Sequence, residues 1–463
     1  MRTLLPRMVI AGTSSGVGKT SMTLALITAL RKRGLEVQTF KVGPDFLDPS
    51  YLSQASGRPC YNLDGWMSSQ DYVEALFRRV TQDADIAVIE GVMGLFDGAD
   101  PKSSEGSTAE IARWLEAPVF LIVNAHGQAR SLAPLVKGFA QFESGVRIEG
   151  VIANQCGSDR HGDWLKASLE GADLPPLLGA IPKGALPTLP SRHLGLVTAD
   201  AHTLPPSVLD HLASVFEKQV SIELLIEKAR KRPVRIFSEV VPFAEPSNKK
   251  VHLGYAWDEA FHFYYPDNLH QLEVHGAELI PFSPLRDCRL PQGLDGLYFG
   301  GGYPEEYAKV LSENQDLMND IRALAASGRS IYGECGGLMY LSQGIKTLED
   351  GRKPLVGLIP VWTKMRSRLK TLGYVEVTLK EDSLFGPEGT VLRGHEFHYS
   401  ELMADPCDER EWQAVYHVRR RRSENIFQEG FQKGNLLASY VHLHWAGRPT
   451  VVESFINQLS ARS

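Results

Sequence analysis

The strongest constraint on how this chain can fold is an order of short apolar runs and helical stretches that occurs twice. In the first half the runs lie at residues 8–11, 37–42, 86–90, 119–124, 148–154 and 177–181, and helical patterns separate them. Parallel neighbours in a sheet need a crossover connection, so this alternation specifies a parallel sheet with helices on both faces. Ligands of such sheets bind beyond the carboxyl ends of the strands, which makes the residues just after each run the ones to inspect for chemistry.

The first run is followed by Gly12-Thr13-Ser14-Ser15-Gly16-Val17-Gly18-Lys19-Thr20, which opens a helical pattern over residues 21–33. The glycines let backbone N–H groups converge on a phosphate and the helix start adds partial positive charge. Lys19 can reach the terminal phosphates, and Thr20 can coordinate Mg²⁺. Strict phosphate-loop spacing asks for glycine at position 13. Thr13 stands there and Gly12 precedes it, so the loop is longer by one residue. Gly16, Gly18, Lys19 and Thr20 are the expected nucleotide-binding residues.

The second run ends in Lys41-Val42-Gly43-Pro44-Asp45-Phe46-Leu47-Asp48-Pro49. Lys41 suits a phosphate, while Asp45 and Asp48 suit Mg²⁺, directly or through water, or the orientation of an attacking group. A solvated acidic turn is the alternative. Glu90 closes the third run, where a buried carboxylate is costly unless a cation or hydrogen bonds meet it, so it reads as a metal ligand. Asp97 is either a further charged member of this site or part of an Asp-Gly turn. Asn124 and Asn154 end the fourth and fifth runs; Asn154 either pairs with a purine edge or caps the next helix.

Together these residues resemble the dethiobiotin synthetase-like amidoligases, which share the longer phosphate loop, a lysine after the second strand and Glu-Gly-x-x-Gly after the third. The resemblance implies Mg²⁺ at Thr20 and Glu90, phosphate at Lys41 and adenine at Asn154. It also implies ATP phosphorylation of a carboxylate followed by amine attack on the acyl phosphate. Phosphate is a far better leaving group than a carboxylate oxygen.

Residues 187–248 interrupt the alternation. Arg192 and His193 lie in a loop that either touches an acidic substrate or forms a hinge, a helical stretch follows over 207–230, and a boundary is expected near Ser247. The expected division is an amidoligase domain at 1–190, a connector with a helical extension at 191–247, and a second domain at 248–463. The alternation restarts at 252–256, 278–281 and 296–299, the last run leading into Gly300-Gly301-Gly302-Tyr303-Pro304. Then comes Gly333-Glu334-Cys335-Gly336-Gly337. A cysteine in Gly-x-Cys-x-Gly between strand and helix sits on an exposed elbow at a helix start, where its thiolate is stabilised. Such a nucleophile needs an oxyanion hole, available from the N–H of Gly336 with Gly301 or Gly302, and a base. Ser439-Tyr440-Val441-His442-Leu443-His444 offers two histidines on one side of an extended segment. Gly394-His395-Glu396-Phe397-His398-Tyr399-Ser400 lines the substrate or supplies another base.

Residues 252–446 resemble a class I, triad-type glutamine amidotransferase domain of the cobyric and cobyrinic acid branch, on the ordered set of these glycine, cysteine and histidine segments. In the wider class a glutamate follows the base histidine by two residues; here His444 holds that place. The resemblance selects His442 as the base and leaves the third member of the triad open. The order of the halves and the loop at Lys41 make the whole chain resemble the cobyrinate a,c-diamide synthases. That likeness implies a two-domain α/β enzyme that uses ATP, Mg²⁺ and L-glutamine to amidate the a and c side chains of cobyrinate. Relatives acting on hydrogenobyrinate or nickel sirohydrochlorin share this machinery, and no residue separates the three. An alternative of another class is a partition-type nucleotide switch with a non-catalytic binding half. Its loop often has a second lysine where Thr13-Ser14-Ser15 stand here.

Composition narrows the setting. With 43% apolar and 22% charged residues the chain is globular, and a formal charge of −6 argues against nucleic acid or a membrane surface as partner. Without a long apolar run or a cleavable apolar start, a cytoplasmic location is expected. The 5 cysteines are scattered, so neither a disulfide framework nor a zinc site is indicated. The basic run Arg419-Arg420-Arg421-Arg422 reads as a solvated loop. The sequence leaves open whether the chain works alone or as a homodimer.

Overall fold

The computed structural model describes residues 5–187, 189, 191–192, 195–196, 203–230, 250–349, 351–445 and 447–461. Contacts divide the chain into two compact units, Met1–Val241 and Pro242–Ser463.

The first unit runs β1 (Arg7–Gly12), α1 (Lys19–Lys32), β2 (Val37–Val42), α2 (Leu47–Ser56), β3 (Tyr61–Leu63), α3 (Gln70–Val80), β4 (Ile86–Glu90), α4 (Thr108–Trp114), β5 (Val119–Asn124), α5 (Leu132–Gln141), β6 (Ile148–Cys156), α6 (Asp159–Glu170) and β7 (Leu177–Pro182). These strands make one seven-stranded sheet in the order β3-β2-β4-β1-β5-β6-β7, parallel at every pairing. The parallel sheet expected from the alternation is therefore present. β3 was not legible, because three residues are too few to show a period. Because β4 lies between β2 and β1, Glu90 is the register partner of both Lys41 and Ile10.

A short hairpin, β8 (Ser191–Arg192) with β9 (Gly195–Leu196), precedes α7 (Pro206–Gln219) and α8 (Ile222–Arg230). His193, the side chain of Arg192 and the boundary near Ser247 lie outside the described residues. The stretch at 207–230 forms two helices instead of one. Val220 between them is extended and bridges Gly179 of β7; a side chain on Gly179 would meet Gln219 O at 2.5 Å. α7 and α8 join the core of the first unit by packing on α1. That explains why α1 is buried continuously from Met22 to Leu30: a helix covered on both sides must be apolar on both sides.

The second unit runs β10 (Val251–Ala256), α9 (Pro266–Val274), β11 (Ala277–Phe282), β12 (Gly296–Phe299), α10 (Ala308–Glu313), α11 (Gln315–Ala326), β13 (Ser330–Glu334) and α12 (Gly336–Leu341). It continues through β14 (Ser342–Lys346), β15 (Arg352–Pro354), β16 (Ile359–Met365), β17 (Thr371–Leu379), β18 (Val391–His398), β19 (Ser400–Leu402), β20 (Gln413–Arg420), β21 (Ile426–Lys433), β22 (Leu436–Ser439) and β23 (His442–His444) to α13 (Pro449–Ser460). A ten-stranded sheet has the order β11-β10-β12-β13-β22-β21-β20-β17-β18-β23. It is parallel from β11 to β22 and antiparallel beyond.

This order has a geometric consequence. Only Tyr440 and Val441 separate β22 from β23 in the chain, yet β21, β20, β17 and β18 lie between them in the sheet. The sheet must roll back on itself, as strands do when they close toward a barrel. Leu443 N accordingly donates to Glu334 Oε1 at 3.2 Å, bringing β23 back to the end of β13. Arg419 and Arg420, expected in a loop, end β20 instead. Arg419 bonds Glu376 Oε1 at 2.5 Å and Arg420 bonds Glu396 Oε2 at 2.9 Å. All 5 cysteines are free. Among the described residues no helix is long and apolar enough to cross a membrane.

Candidate active sites

In the first unit the turn after β1 is held from three sides. Thr13 N donates to Ile122 O at 3.1 Å, Leu95 N donates to Gly12 O at 2.8 Å, and Asn154 Nδ2 donates to Val17 O at 2.8 Å. Gly16 and Gly18 have φ of 76° and 99°, the left-handed region that favours glycine. A side chain on Gly18 would also strike Asn154 Nδ2. Asn154 is thus a brace of the loop, with Oδ1 accepting from Gln155 N at 2.8 Å; one amide hydrogen and one lone pair of Oδ1 remain for any purine contact. Asn154→Ala leaves the Val17 carbonyl without this partner, a loss worth about 1–2 kcal/mol. The expected outcome is a nucleoside triphosphate affinity lowered about 5- to 30-fold by that energy, read by equilibrium binding.

Lys19 Nζ lies 3.1 Å from Ser14 O and 2.5 Å from Met93 O. Burial and then the charge of Lys41 lower its pKa. Thr20 Oγ1 is 3.0 Å from Glu90 Oε1. Lys41 Nζ bridges Glu90 Oε1 at 2.8 Å and Asp48 Oδ2 at 2.5 Å. Burial disfavours its charge, but Asp48 and Glu90 outweigh burial and raise it above the usual lysine range. Burial pushes the Glu90 carboxyl up despite Lys41. For Asp48 burial is the largest influence and acts upward, yet Lys41 carries the net shift downward.

Lys41 is therefore ion-paired with the buried Glu90 and the half-buried Asp48, and Glu90 Oε2 has no hydrogen-bond partner among the described residues. An oxygen-rich corner with an orphaned carboxylate oxygen fits a hard cation such as Mg²⁺. No group of three or more His, Cys, Asp or Glu side chains among the described residues is arranged to hold a metal. An ion here would complete its shell with phosphate oxygens and water.

Two expected members have local work that the sequence did not reveal. Asp45 accepts from Leu47 N at 3.0 Å and Asp48 N at 3.2 Å, so it caps the start of α2. Burial and then Asp48 push its carboxyl up to about 7. Asp97 Oδ2 accepts from Gly94 N at 2.8 Å and fastens the turn after β4. Sequence reasoning missed Asn62, whose Nδ2 reaches Gly43 O and Asp45 O, both at 2.8 Å. It also missed Thr108, which bonds both N and O of Val92. Asn62 is the middle residue of the three-residue β3, just before Asp64-Gly65, so its signal was no more than a polar residue in a very short run.

In the second unit Cys335 has φ 49° and ψ −96° between β13 and α12, a strained conformation of the kind stored at functional elbows. Its N–H donates to Ser439 O at 2.7 Å and its Sγ lies 3.9 Å from Phe397 O. Three glycines are needed for close approach. A side chain on Gly337 would strike Phe299 O, one on Gly336 would meet Gly302 N at 3.0 Å, and one on Gly301 would strike His442 Cε1. The turn after β12, the elbow and His442 thus meet around one point. The expected stabilisation of the thiolate is corrected here: α12 is a single short turn, and burial pushes the Cys335 thiol well up, with Glu305 adding to it.

His442 Nδ1 lies 3.6 Å from Glu334 Oε2. His395 stacks on His442 with ring centroids 5.0 Å apart, and His395 Nδ1 is 3.0 Å from the Tyr265 hydroxyl. Burial lowers His395 well below the ordinary histidine range and His444 to about 4, so both are neutral near pH 7. His442 is the ring that lies against both Gly301 and a carboxylate. Glu429, also unread in the sequence, bonds the Ser439 hydroxyl and accepts from Tyr440 N at 2.6 Å. It steadies the turn from which Ser439 holds Cys335.

Comparison with known proteins matches each of the two units. Residues 8–197 match the CobQ/CobB/MinD/ParA nucleotide binding domain, and residues 252–450 match the CobB/CobQ-like glutamine amidotransferase domain. The cobyrinate a,c-diamide synthase of Syntrophotalea carbinolica is 55% identical over 98% of both chains. That of Leptospira interrogans is 46% identical over 98% of this chain and 99% of its own, and that of Priestia megaterium 40% over 98% and 97%. A nucleotide-binding unit followed by a glutamine amidotransferase unit, alike along nearly the whole length, places this chain in the cobyrinate a,c-diamide synthase family.

Proposed function

We propose that the chain amidates the a and c side-chain carboxylates of cobyrinate, activating each as an acyl phosphate with ATP and aminating it with ammonia released from glutamine at Cys335. The observation that supports this most directly is the buried Lys41–Glu90–Thr20 cluster beside a phosphate loop, in the same chain as a cysteine elbow backed by His442. Bound ATP supplies the phosphoryl group, and bound Mg²⁺ neutralises phosphate charge. The backbone of the loop from Thr13 to Gly18 holds phosphate oxygens, to which Lys19 turns from the Ser14 and Met93 carbonyls. Thr20, Glu90 and Asp48 hold the ion. Lys41, kept cationic by its two carboxylates, meets the transferring phosphoryl oxygens. Asp45 and Asp97 shape the loops that present these groups.

At the second site burial keeps Cys335 as a thiol, so attack needs a base at the moment of reaction. His442 takes the Sγ proton while sulfur attacks the glutamine carboxamide carbon. The N–H of Gly336, with that of Gly302, receives the oxyanion, since Gly301 N already donates to Phe263 O at 3.3 Å. Collapse expels ammonia with the proton from His442, and water cleaves the γ-glutamyl thioester to glutamate and free thiol. The reading places the enzyme in the cytoplasm, where ATP and glutamine are at hand, as a monomer or homodimer.

The test is a competition among cobyrinate, hydrogenobyrinate and nickel sirohydrochlorin with amide-¹⁵N glutamine and ATP. The expected product is cobyrinate diamide carrying label at both positions, with one glutamate and one ADP per amide. Label on another macrocycle would reassign the substrate. ATP cleavage with no label in any tetrapyrrole would refute the amidoligase reading.

A further inference from the structure

A base histidine of this kind needs a group behind its distal nitrogen, and Glu334 stands there. It is the residue immediately before the nucleophile, at the buried end of β13. A carboxylate in that position is costly unless it is met on several sides. The Tyr332 hydroxyl donates to Oε1 at 2.8 Å and Leu443 N donates to it at 3.2 Å; the Tyr298 hydroxyl donates to Oε2 at 3.2 Å. The remaining side of Oε2 faces His442 Nδ1 at 3.6 Å. Cε1 and Nε2 of the ring lie against Gly301, and Gly301 adjoins Gly336 beside the nucleophile.

We infer that Glu334 is the positioning residue that orients His442 and stabilises its imidazolium, taking from within the elbow the part that a glutamate two residues after the histidine cannot take here. The inference rests on the proposed amidotransferase reading and deepens it. Its physical content is a fixed tautomer: a proton on Nδ1 pointing at Glu334 leaves the Nε2 lone pair for the Cys335 proton. The rolled sheet makes the arrangement, because it returns β23 to the end of β13 and the Leu443 amide anchors the same carboxylate.

The other titratable groups facing the ring do not take this part. His395 on β18 and His444 on β23 are kept neutral by burial. Tyr298 on β12 and Tyr332 on β13 are kept protonated by burial and by Glu334 itself.

Glu334→Gln keeps an acceptor oxygen at the Oε1 position for Tyr332 and Leu443 N, places an NH2 group where Oε2 met Tyr298 and His442, and removes the charge. The expected result is a fall of about 10- to 100-fold in kcat/KM for glutamine-dependent amidation, in line with losing a partner that orients a functional histidine. The acid limb of its pH profile should move down, since the imidazolium loses its counter-charge. Amidation with free ammonia should stay at the wild-type rate, which also reports that the variant is folded. Tyr332→Phe removes one donor from the carboxylate, concentrates its charge and should move the acid limb up. If Glu334→Gln fails to fold, the direction of the Tyr332→Phe limb decides. An unmoved acid limb in either folded variant overturns the inference. Loss of neither activity in Cys335→Ala would instead overturn the underlying reading, so the two failures are distinguishable.

Discussion

Cys335→Ala is expected to abolish glutamine-dependent amidation, by at least about 10⁴-fold in kcat as for other deleted nucleophiles, while amidation with saturating ammonium stays within about twofold of wild type. The asymmetry follows from the division of labour. The thiol is the only proposed bond-forming group of the second unit, and the oxyanion donors cannot act without it. The phosphate loop, Lys41 and Glu90 lie wholly in the first unit. The substitution removes one sulfur from a buried position, so a lower Tm is also expected, by a few degrees. Parallel progress curves with glutamine and with ammonium check this. Equal loss of both activities would mean that the elbow serves the amidation step itself.

The contrast between the two units shows which structural facts a sequence exposes. Strand-end residues of a parallel sheet announce themselves, because a charged side chain closing an apolar run is costly without a partner. Lys41 and Glu90 were legible for that reason, and Thr20 by its place after Gly-Lys. The same argument applied to Glu334 would have found it. Its neighbour Cys335 drew the attention, and the carboxylate's partner lies on a strand distant in sequence. Asn62 and Glu429 were hidden because their work is to hold backbone atoms of other loops, which needs register and not composition. The rolled β17–β23 meander was equally hidden: alternating residues show that strands exist, but their order depends on long-range pairing. Asp45 and Asp97 each read as either a reactive carboxylate or part of a turn, since sequence cannot tell a helix cap or turn fastener from a ligand.

Lys41 and Glu90 should respond to substitution in opposite ways. Two carboxylates share one cation: Lys41 is 3% exposed, Glu90 0%, and the half-buried Asp48 18% at its side chain. Glu90→Gln leaves Lys41 and Asp48 as a neutral pair, so stability should change little. It removes the carboxylate whose Oε2 lacks a partner, so half-saturating Mg²⁺ in ammonia-dependent amidation should rise about 10- to 100-fold, with basal glutamine hydrolysis preserved. Lys41→Met does the reverse. It leaves two carboxylates in a buried corner without their cation, a change that costs about 3–5 kcal/mol when a buried partner is removed. Part of that loss should return when Mg²⁺ is added, because a divalent ion can neutralise the pair by binding the folded state alone. Thermal melts of both variants across a Mg²⁺ series, beside the amidation kinetics, separate the two roles. A Lys41→Met melt that ignores Mg²⁺, together with unchanged Mg²⁺ dependence in Glu90→Gln, would make this cluster a structural ion pair and move the metal elsewhere.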